Sequence, residues 1–305
     1  MEPNLAVEIA GLRLKNPIMS ASGCFGYGDE AADFIDLAQL GAVVTKSITP
    51  LPRTGHPPPK VAETAAGMLN AIGLSNIGLD AFIDIKLPYL RGCNCVTIVN
   101  IAGRTVGEYV HLARKLSEQT GVHALEVNIS CPNVEIGGLE FGASEEGTAR
   151  VISEVRKVSK VPIIAKLSPN VTDIVAIAQA AEAAGADAVS LINTLIGTAI
   201  DAKSMRFKLS NKFGGLSGPA IKPVALAMVY KAARVLRIPV IGIGGISSGE
   251  DVIEFMLAGA AAVQIGTACF AEPTIFGRVL EEIRTYLRQR DIDDIGTIIG
   301  KVGDA

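Results

Sequence analysis

Eight short apolar runs recur along the 305 residues, at 17–21, 42–46, 96–100, 124–129, 162–166, 188–192, 239–243 and 262–265. Each has the length of a strand and is apolar almost throughout, the pattern of strands buried on both faces. Between them lie segments at 106–120, 145–159, 171–184, 219–236, 250–257 and 274–290 whose apolar residues fall at three- and four-residue spacing, which predicts helices. Ser144, Thr172-Asp173 and Ser247-Ser248 supply N-cap chemistry, and Gly121 and Gly185 read as C-terminal stops. Eight strand–helix units with no break in composition predict one (β/α)8 TIM barrel spanning residues 1–305. A doubly wound sheet is the competing architecture; the regular repeat and the glycine turns after the last two strands favour closure. Residues 5–14, with Gly11 between two short apolar runs, predict an N-terminal β-hairpin capping the bottom of the barrel.

Hydrophobic residues make up 49% of the chain, yet no apolar run approaches the ~20 residues of a membrane helix. The start, Met-Glu-Pro-Asn, has neither a basic nor an apolar leader region, so a cytoplasmic location is expected. A net charge of −3 and the lack of a basic stripe give no reason to expect nucleic acid. The five cysteines (Cys24, Cys93, Cys95, Cys131 and Cys269) are odd in number and unevenly spaced, which suits a reducing compartment. Cys93-Asn-Cys95 has no second ligand pair, so no metal or iron–sulfur site is expected in this chain.

Three connections exceed what the scaffold needs: 49–60 after strand two, 132–142 after strand four and 193–218 after strand six. All three are expected at the C-terminal face, where barrels carry their chemistry. Gly137-Gly138 reads as the hinge of a lid, or as an ordinary surface loop.

The segment Asn128-Ile-Ser-Cys131-Pro-Asn133 sits at that face. Pro132 cannot continue a sheet ladder, so the strand ends here and leaves Cys131 on a loop at its C-terminal end. A buried structural cysteine is the bland alternative. Other strands end in Lys46, Asn100, Lys166 and Asn193-Thr194, which with Asn128 make a rim of two lysines and three asparagines suited to a planar, anionic, amide-containing ligand. No histidine ends a strand, and Glu126, inside strand four, reads as a structural residue of the barrel interior. Cys131 is therefore the good proton acceptor of the rim. A free thiol titrates near ~8.5, and a neighbouring lysine lowers that. The turns Gly244-Gly245 and Gly266-Thr267 follow strands seven and eight and, with a helix starting near Ser248, form a phosphate-gripping arrangement. Tight turns with no ligand are the alternative.

Together with Ser20-Ala-Ser-Gly-Cys-Phe-Gly26, Gly67-Met-Leu-Asn70-Ala-Ile-Gly-Leu74-Ser-Asn, Lys166-Leu-Ser-Pro-Asn and Gly214-Gly-Leu-Ser-Gly218-Pro-Ala-Ile-Lys-Pro, these segments resemble the dihydroorotate dehydrogenases from about residue 5 to residue 290. The resemblance is strongest to class 1B, the FMN-bearing catalytic subunit of the NAD-linked enzyme. It implies FMN held by Ser22, Lys46, Ser47, Asn100, Asn128, Lys166, Ile192, Gly218, Gly244, Gly245, Gly266 and Thr267. It implies dihydroorotate held by Lys46, Asn70, Ala71, Ile72, Gly73, Leu74, Asn128, Asn193 and Thr194. Cys131 then matches the general base, removing a proton from carbon 5 while hydride leaves carbon 6 for the flavin, in the synthesis of orotate for pyrimidines.

The resemblance further implies a partner subunit carrying FAD and an iron–sulfur cluster, two such subunits flanking a homodimer in a heterotetramer, because this chain shows no dinucleotide fingerprint. The membrane-associated class 2 enzymes are similar but have serine in place of the cysteine and an N-terminal extension. Three alternatives stay open: the fumarate-linked class 1A, a dihydropyrimidine dehydrogenase-like enzyme, and a non-catalytic phosphate-binding barrel. The role of Cys24, near the expected flavin, is not assigned.

Overall fold

The computed structural model describes residues 2–130 and 141–304. Its centre is a closed barrel of eight parallel strands: β1 (Ile18–Ser20), β2 (Ala42–Val44), β3 (Val96–Ile101), β4 (Ala124–Asn128), β5 (Ile163–Lys166), β6 (Ala188–Leu191), β7 (Val240–Ile243) and β8 (Ala260–Ile265). Each pairs with the next in sequence, and β8 closes on β1. All eight expected strands are present, with ends moved by at most two residues.

The helices are α1 (79–92), α2 (Val106–Leu116), α3 (Glu145–Arg156), α4 (Ile174–Ala183), α5 (Lys222–Ala233), α6 (Gly249–Leu257) and α7 (Ile275–Gln289). The three expected caps form: Ser144 Oγ accepts from Gly147 N at 3.1 Å, Asp173 Oδ1 from Val175 N at 2.9 Å and Ser248 Oγ from Asp251 N at 3.1 Å. Gly185 ends α4 at φ 97°; its N–H donates to the Glu182 carbonyl, and the Ala186 N–H to the Ala181 carbonyl. Helix α2 stops four residues before its expected end, and Gly121 (φ 86°) lies in the turn that follows. Helix α1 was not legible as a helix. A π turn at Phe82–Lys86 shifts its apolar phase, although Leu79, Phe82, Leu87 and Leu90 are all buried.

The expected N-terminal hairpin pairs Val7–Ile9 with Leu12–Leu14 and packs on β8. Its turn uses Ala10 and Gly11 at positive φ.

The connections after β2 and β6 are not merely long loops. They contribute strands to one antiparallel sheet, ordered Leu195–Thr198, Phe213–Ser217, Gly67–Asn70, Val61–Thr64. A small ribbon, Ile200–Asp201 with Arg206–Phe207, extends the same connection. Gly215 explains the close fit here: a Cβ would meet Thr194 Oγ1 at 2.0 Å.

Candidate active site

Two cavities of about 590 and 410 Å³ adjoin at the C-terminal ends of the strands. Ser22, Cys24, Lys166, Asn193 and Thr194 line both, as do Met68 and Ser217 of the mouth sheet, so the two form one continuous space. The combined size suits a cofactor with a small substrate.

The first cavity ends in a glycine cradle. Gly218, Gly244, Gly245, Gly266 and Thr267 line it with Ile192. Gly244 and Gly245 adopt φ of 130° and 73°, and a Cβ on Gly245 would lie 2.9 Å from the Gly218 carbonyl oxygen. The start of α6 lies next to this cradle, but three of its N–H groups are already used. Ser248 N donates to Asp251 (2.9 Å), Gly249 N to Glu282 (2.6 Å) and Asp251 N to Ser248 Oγ. The helix thus offers an anion chiefly its field, and the glycine turns offer direct donors. Asp251 also accepts from Ser247 N at 2.7 Å and Lys222 Nζ at 2.6 Å. Burial alone would raise its carboxyl, but Lys222 and the Ser247 donors outweigh that and hold it below the usual carboxylate range.

The second cavity is lined by Lys46, Ser47, Asn70, Ala71, Ile72, Gly73, Leu74, Asn128, Asn193 and Thr194. Asn193 Nδ2 donates to Asn128 Oδ1 at 3.4 Å, and Asn70 Nδ2 to the Gly215 carbonyl at 3.2 Å. The residues expected at the site therefore converge on this one space, with two exceptions. Asn100 is fully buried and reaches the site through Glu126. Cys131, with Gly137-Gly138, lies outside the described residues.

Several contributors were not legible beforehand. Met68 and Ser217 come from the mouth sheet. Asn76 anchors the 70–74 segment: it donates to Thr49 Oγ1 (2.7 Å) and the Leu74 carbonyl (2.8 Å), and accepts from Gly78 N (2.8 Å). Tyr109 Oη donates to the Asn128 carbonyl at 2.7 Å, fixing the end of β4. Glu126, expected to be structural, is the acceptor for four side chains: Asn100, Lys166, Ser190 and Gln264.

Cys24 sits on the wall of both cavities. Burial pushes its thiol up to about 11, with Lys166 pulling the other way, so it is protonated near neutral pH.

The family model for dihydroorotate dehydrogenase matches residues 4–287. The chain belongs to the dihydroorotate dehydrogenase family. Among its relatives, the dihydroorotate dehydrogenase B (NAD(+)) catalytic subunit of Geotalea uraniireducens is 54% identical over 98% of both chains. The protein of the same description from Thermoanaerobacter sp. is 53% identical over 98% of this chain and 99% of its own. A solved dihydroorotate dehydrogenase from Eimeria tenella, in complex with ferulenol, is 23% identical. It superposes with a TM-score of 0.81 over 98% of this chain and 88% of that one, a likeness of fold. In this dihydroorotate dehydrogenase barrel, no described helix is long and apolar enough to cross a membrane.

Proposed function

We propose that the chain is the FMN-bearing catalytic subunit of an NAD-linked dihydroorotate dehydrogenase, oxidising dihydroorotate to orotate for pyrimidine synthesis. The observation that carries this is the continuity of a glycine cradle with a pocket ringed by Lys46, Asn70, Asn128 and Asn193. The names of the 51–54% identical relatives support the NAD-linked form over class 1A. They also support a partner subunit, for which we propose FAD and an iron–sulfur cluster, with two such subunits flanking a homodimer in the cytoplasm.

The residues fit FMN. Only glycine lets the cradle turns pack this closely, since a Cβ on Gly244 would meet Ala225 and one on Gly245 would meet Lys222 and the Gly218 carbonyl, and the buried Asn100 Oδ1 and Gln264 Oε1 have no hydrogen-bond partner among the described residues. Gly218, Gly244, Gly245, Gly266 and Thr267 would hold the phosphate end. Ser22, Lys46, Ser47, Asn100, Asn128, Lys166 and Ile192 would hold the rest. FMN, when bound, supplies the acceptor for the substrate's hydride.

The remaining work belongs to the chain. Lys46 offers a cation to the substrate carboxylate, and Asn70, Asn128 and Asn193 offer paired donors and acceptors to its ring amides. Ala71 to Leu74 and Thr194 shape the pocket. Cys131, as thiolate, is the proposed base at carbon 5, an assistance worth ~10²–10⁴-fold. The Lys166 ammonium lines both cavities and offsets negative charge that arrives on the cofactor. Val61–Thr64 and Gly67–Asn70 help roof the site against water.

The test is anaerobic addition of dihydroorotate to the purified chain while following flavin absorbance, wild type beside Cys131→Ala. Rapid bleaching that slows severely in the variant supports the reading, and NAD against fumarate then identifies the acceptor. A flavin bleached by dihydrouracil alone would favour the dihydropyrimidine alternative. One bleached by neither would favour the non-catalytic barrel.

A further inference from the structure

Glu126 is fully buried inside the barrel, and its neighbours are arranged unequally around it. Oε1 accepts from Asn100 Nδ2 at 2.6 Å and from Lys166 Nζ at 3.4 Å. Oε2 accepts from Gln264 Nε2 at 2.6 Å and Ser190 Oγ at 3.0 Å. One carboxylate from β4 therefore ties together side chains of β3, β5, β6 and β8. An ionised carboxylate only accepts, so it draws the NH2 end of both amides and leaves Asn100 Oδ1 and Gln264 Oε1 as the ends without partners. Lys166 differs from the other three. It is 5% exposed, lines both cavities, and is the member that brings the hub's charge to the site.

We propose that Glu126 is a positioning residue: it holds the Lys166 ammonium at the cavity floor and, through Lys166, sets the reduction potential of the flavin bound there. This rests on the flavin reading above. The argument is one of donors and acceptors. A glutamine in place of Glu126 keeps the volume but presents one acceptor oxygen and one NH2. Asn100, Gln264 and Ser190 can each rotate to offer that NH2 an acceptor; Lys166 has donors only. A buried cation whose anion is removed does not stay charged and unpaired in place. It swings toward the open mouth and solvent, and positive charge leaves the floor. The electron-rich reduced flavin then loses its stabiliser.

The test is the midpoint potential of the full-length, flavin-loaded chain, measured by equilibration with a reference dye. Glu126→Gln is expected to disfavour the reduced form about tenfold, a fall of about 30 mV for a two-electron couple. Lys166→Met should give a fall of the same size, and the double variant no further fall. Glu126→Asp keeps the charge on a shorter arm. It should give a smaller fall that vanishes in the Lys166→Met background, and it carries the test if Glu126→Gln does not fold. An unchanged or raised potential in Glu126→Gln, with only a lower melting temperature, would reduce Glu126 to barrel scaffolding. A shift that persists without Lys166 would overturn the route proposed. A wild-type chain that takes up no flavin overturns the cofactor reading itself, whereas flavin bound at an unchanged potential overturns only the role of Glu126.

Discussion

The Asn76 amide lies 2.7 Å from the Thr49 hydroxyl, joining the two ends of the segment that carries residues 70–74 to the wall of the second cavity. Asn76 Oδ1 also accepts from Gly78 N and, at 3.3 Å, from Thr49 N. Asn76→Ala removes these bonds together and leaves buried backbone groups unpaired, a loss of about 1–3 kcal/mol in local stability. The 70–74 segment then loses its fixed geometry. KM for dihydroorotate should rise at least tenfold while the bound-flavin spectrum keeps its wild-type shape, as steady-state kinetics and absorbance would check. An unchanged KM would show that the segment holds its shape without this anchor.

Tyr109 acts at the opposite wall. Its hydroxyl donates to the Asn128 carbonyl, and its ring meets Phe141 edge-on at 5.8 Å. Tyr109→Phe keeps the ring and orphans the buried carbonyl, which should cost about 1–3 kcal/mol in thermal unfolding. It should also lower kcat several-fold, because Asn128 and the residues after it lose their fixed end. A drop in stability with kcat unchanged would limit Tyr109 to packing.

Gly215→Ala tests the fit between mouth sheet and barrel rim. The new methyl would sit 2.0 Å from Thr194 Oγ1, a distance that forces movement. Thr194 lines the second cavity, so weaker dihydroorotate binding is expected with flavin retention intact, measured by titration of the oxidised protein with orotate.

Cys24→Ala, set beside Cys131→Ala, separates the cavity-wall cysteine from the proposed base. With its thiol held up at about 11, Cys24 is not a base near neutral pH. Its variant should bleach with dihydroorotate within a few-fold of the wild-type rate, while Cys131→Ala should slow by ~10²–10⁴-fold. Equal losses in both would mean that Cys24 takes part in the chemistry.

Asp251 gives the acid limb of stability. Its carboxyl lies below its ordinary value in the folded chain, so the folded state favours the ionised form. That contribution is fully present above the unfolded value near ~3.9 and is lost as pH falls through the lower folded value. Asp251→Asn should therefore lower the melting temperature at neutral pH, and the gap to wild type should narrow below about pH 4. A gap independent of pH would mean that the contacts, not the charge, stabilise this turn.

The barrel was legible because each strand is a compact apolar run and each of the three named caps is a local signal. Ser144, Asp173 and Ser248 act on backbone within three residues of themselves. Lys46, Asn128, Lys166 and Asn193 were legible at the cavity because they stand at or just after strand ends, whereas Asn100, one residue before its strand ends, is turned into the barrel onto Glu126. Helix α1 was hidden by its π turn. The mouth sheet was hidden by distance, since its two central strands belong to different connections and are rich in glycine, which carries no strand preference. The office of Glu126 could not be seen because its four donors come from four different strands. A lone acidic residue in an apolar run shows only that some partner is needed.

The roof over the site has a consequence for assembly. Asn70 meets Gly215 across 145 residues of chain, so pairing these strands closes a loop that holds four barrel strands, β3 to β6, and late pairing is expected. A barrel open at its mouth is then expected to form before its cover, leaving an interval in which a molecule as large as a flavin nucleotide can enter from above. Its amides should also be among the earlier ones to exchange with solvent, so the way in during folding is the way out on unfolding.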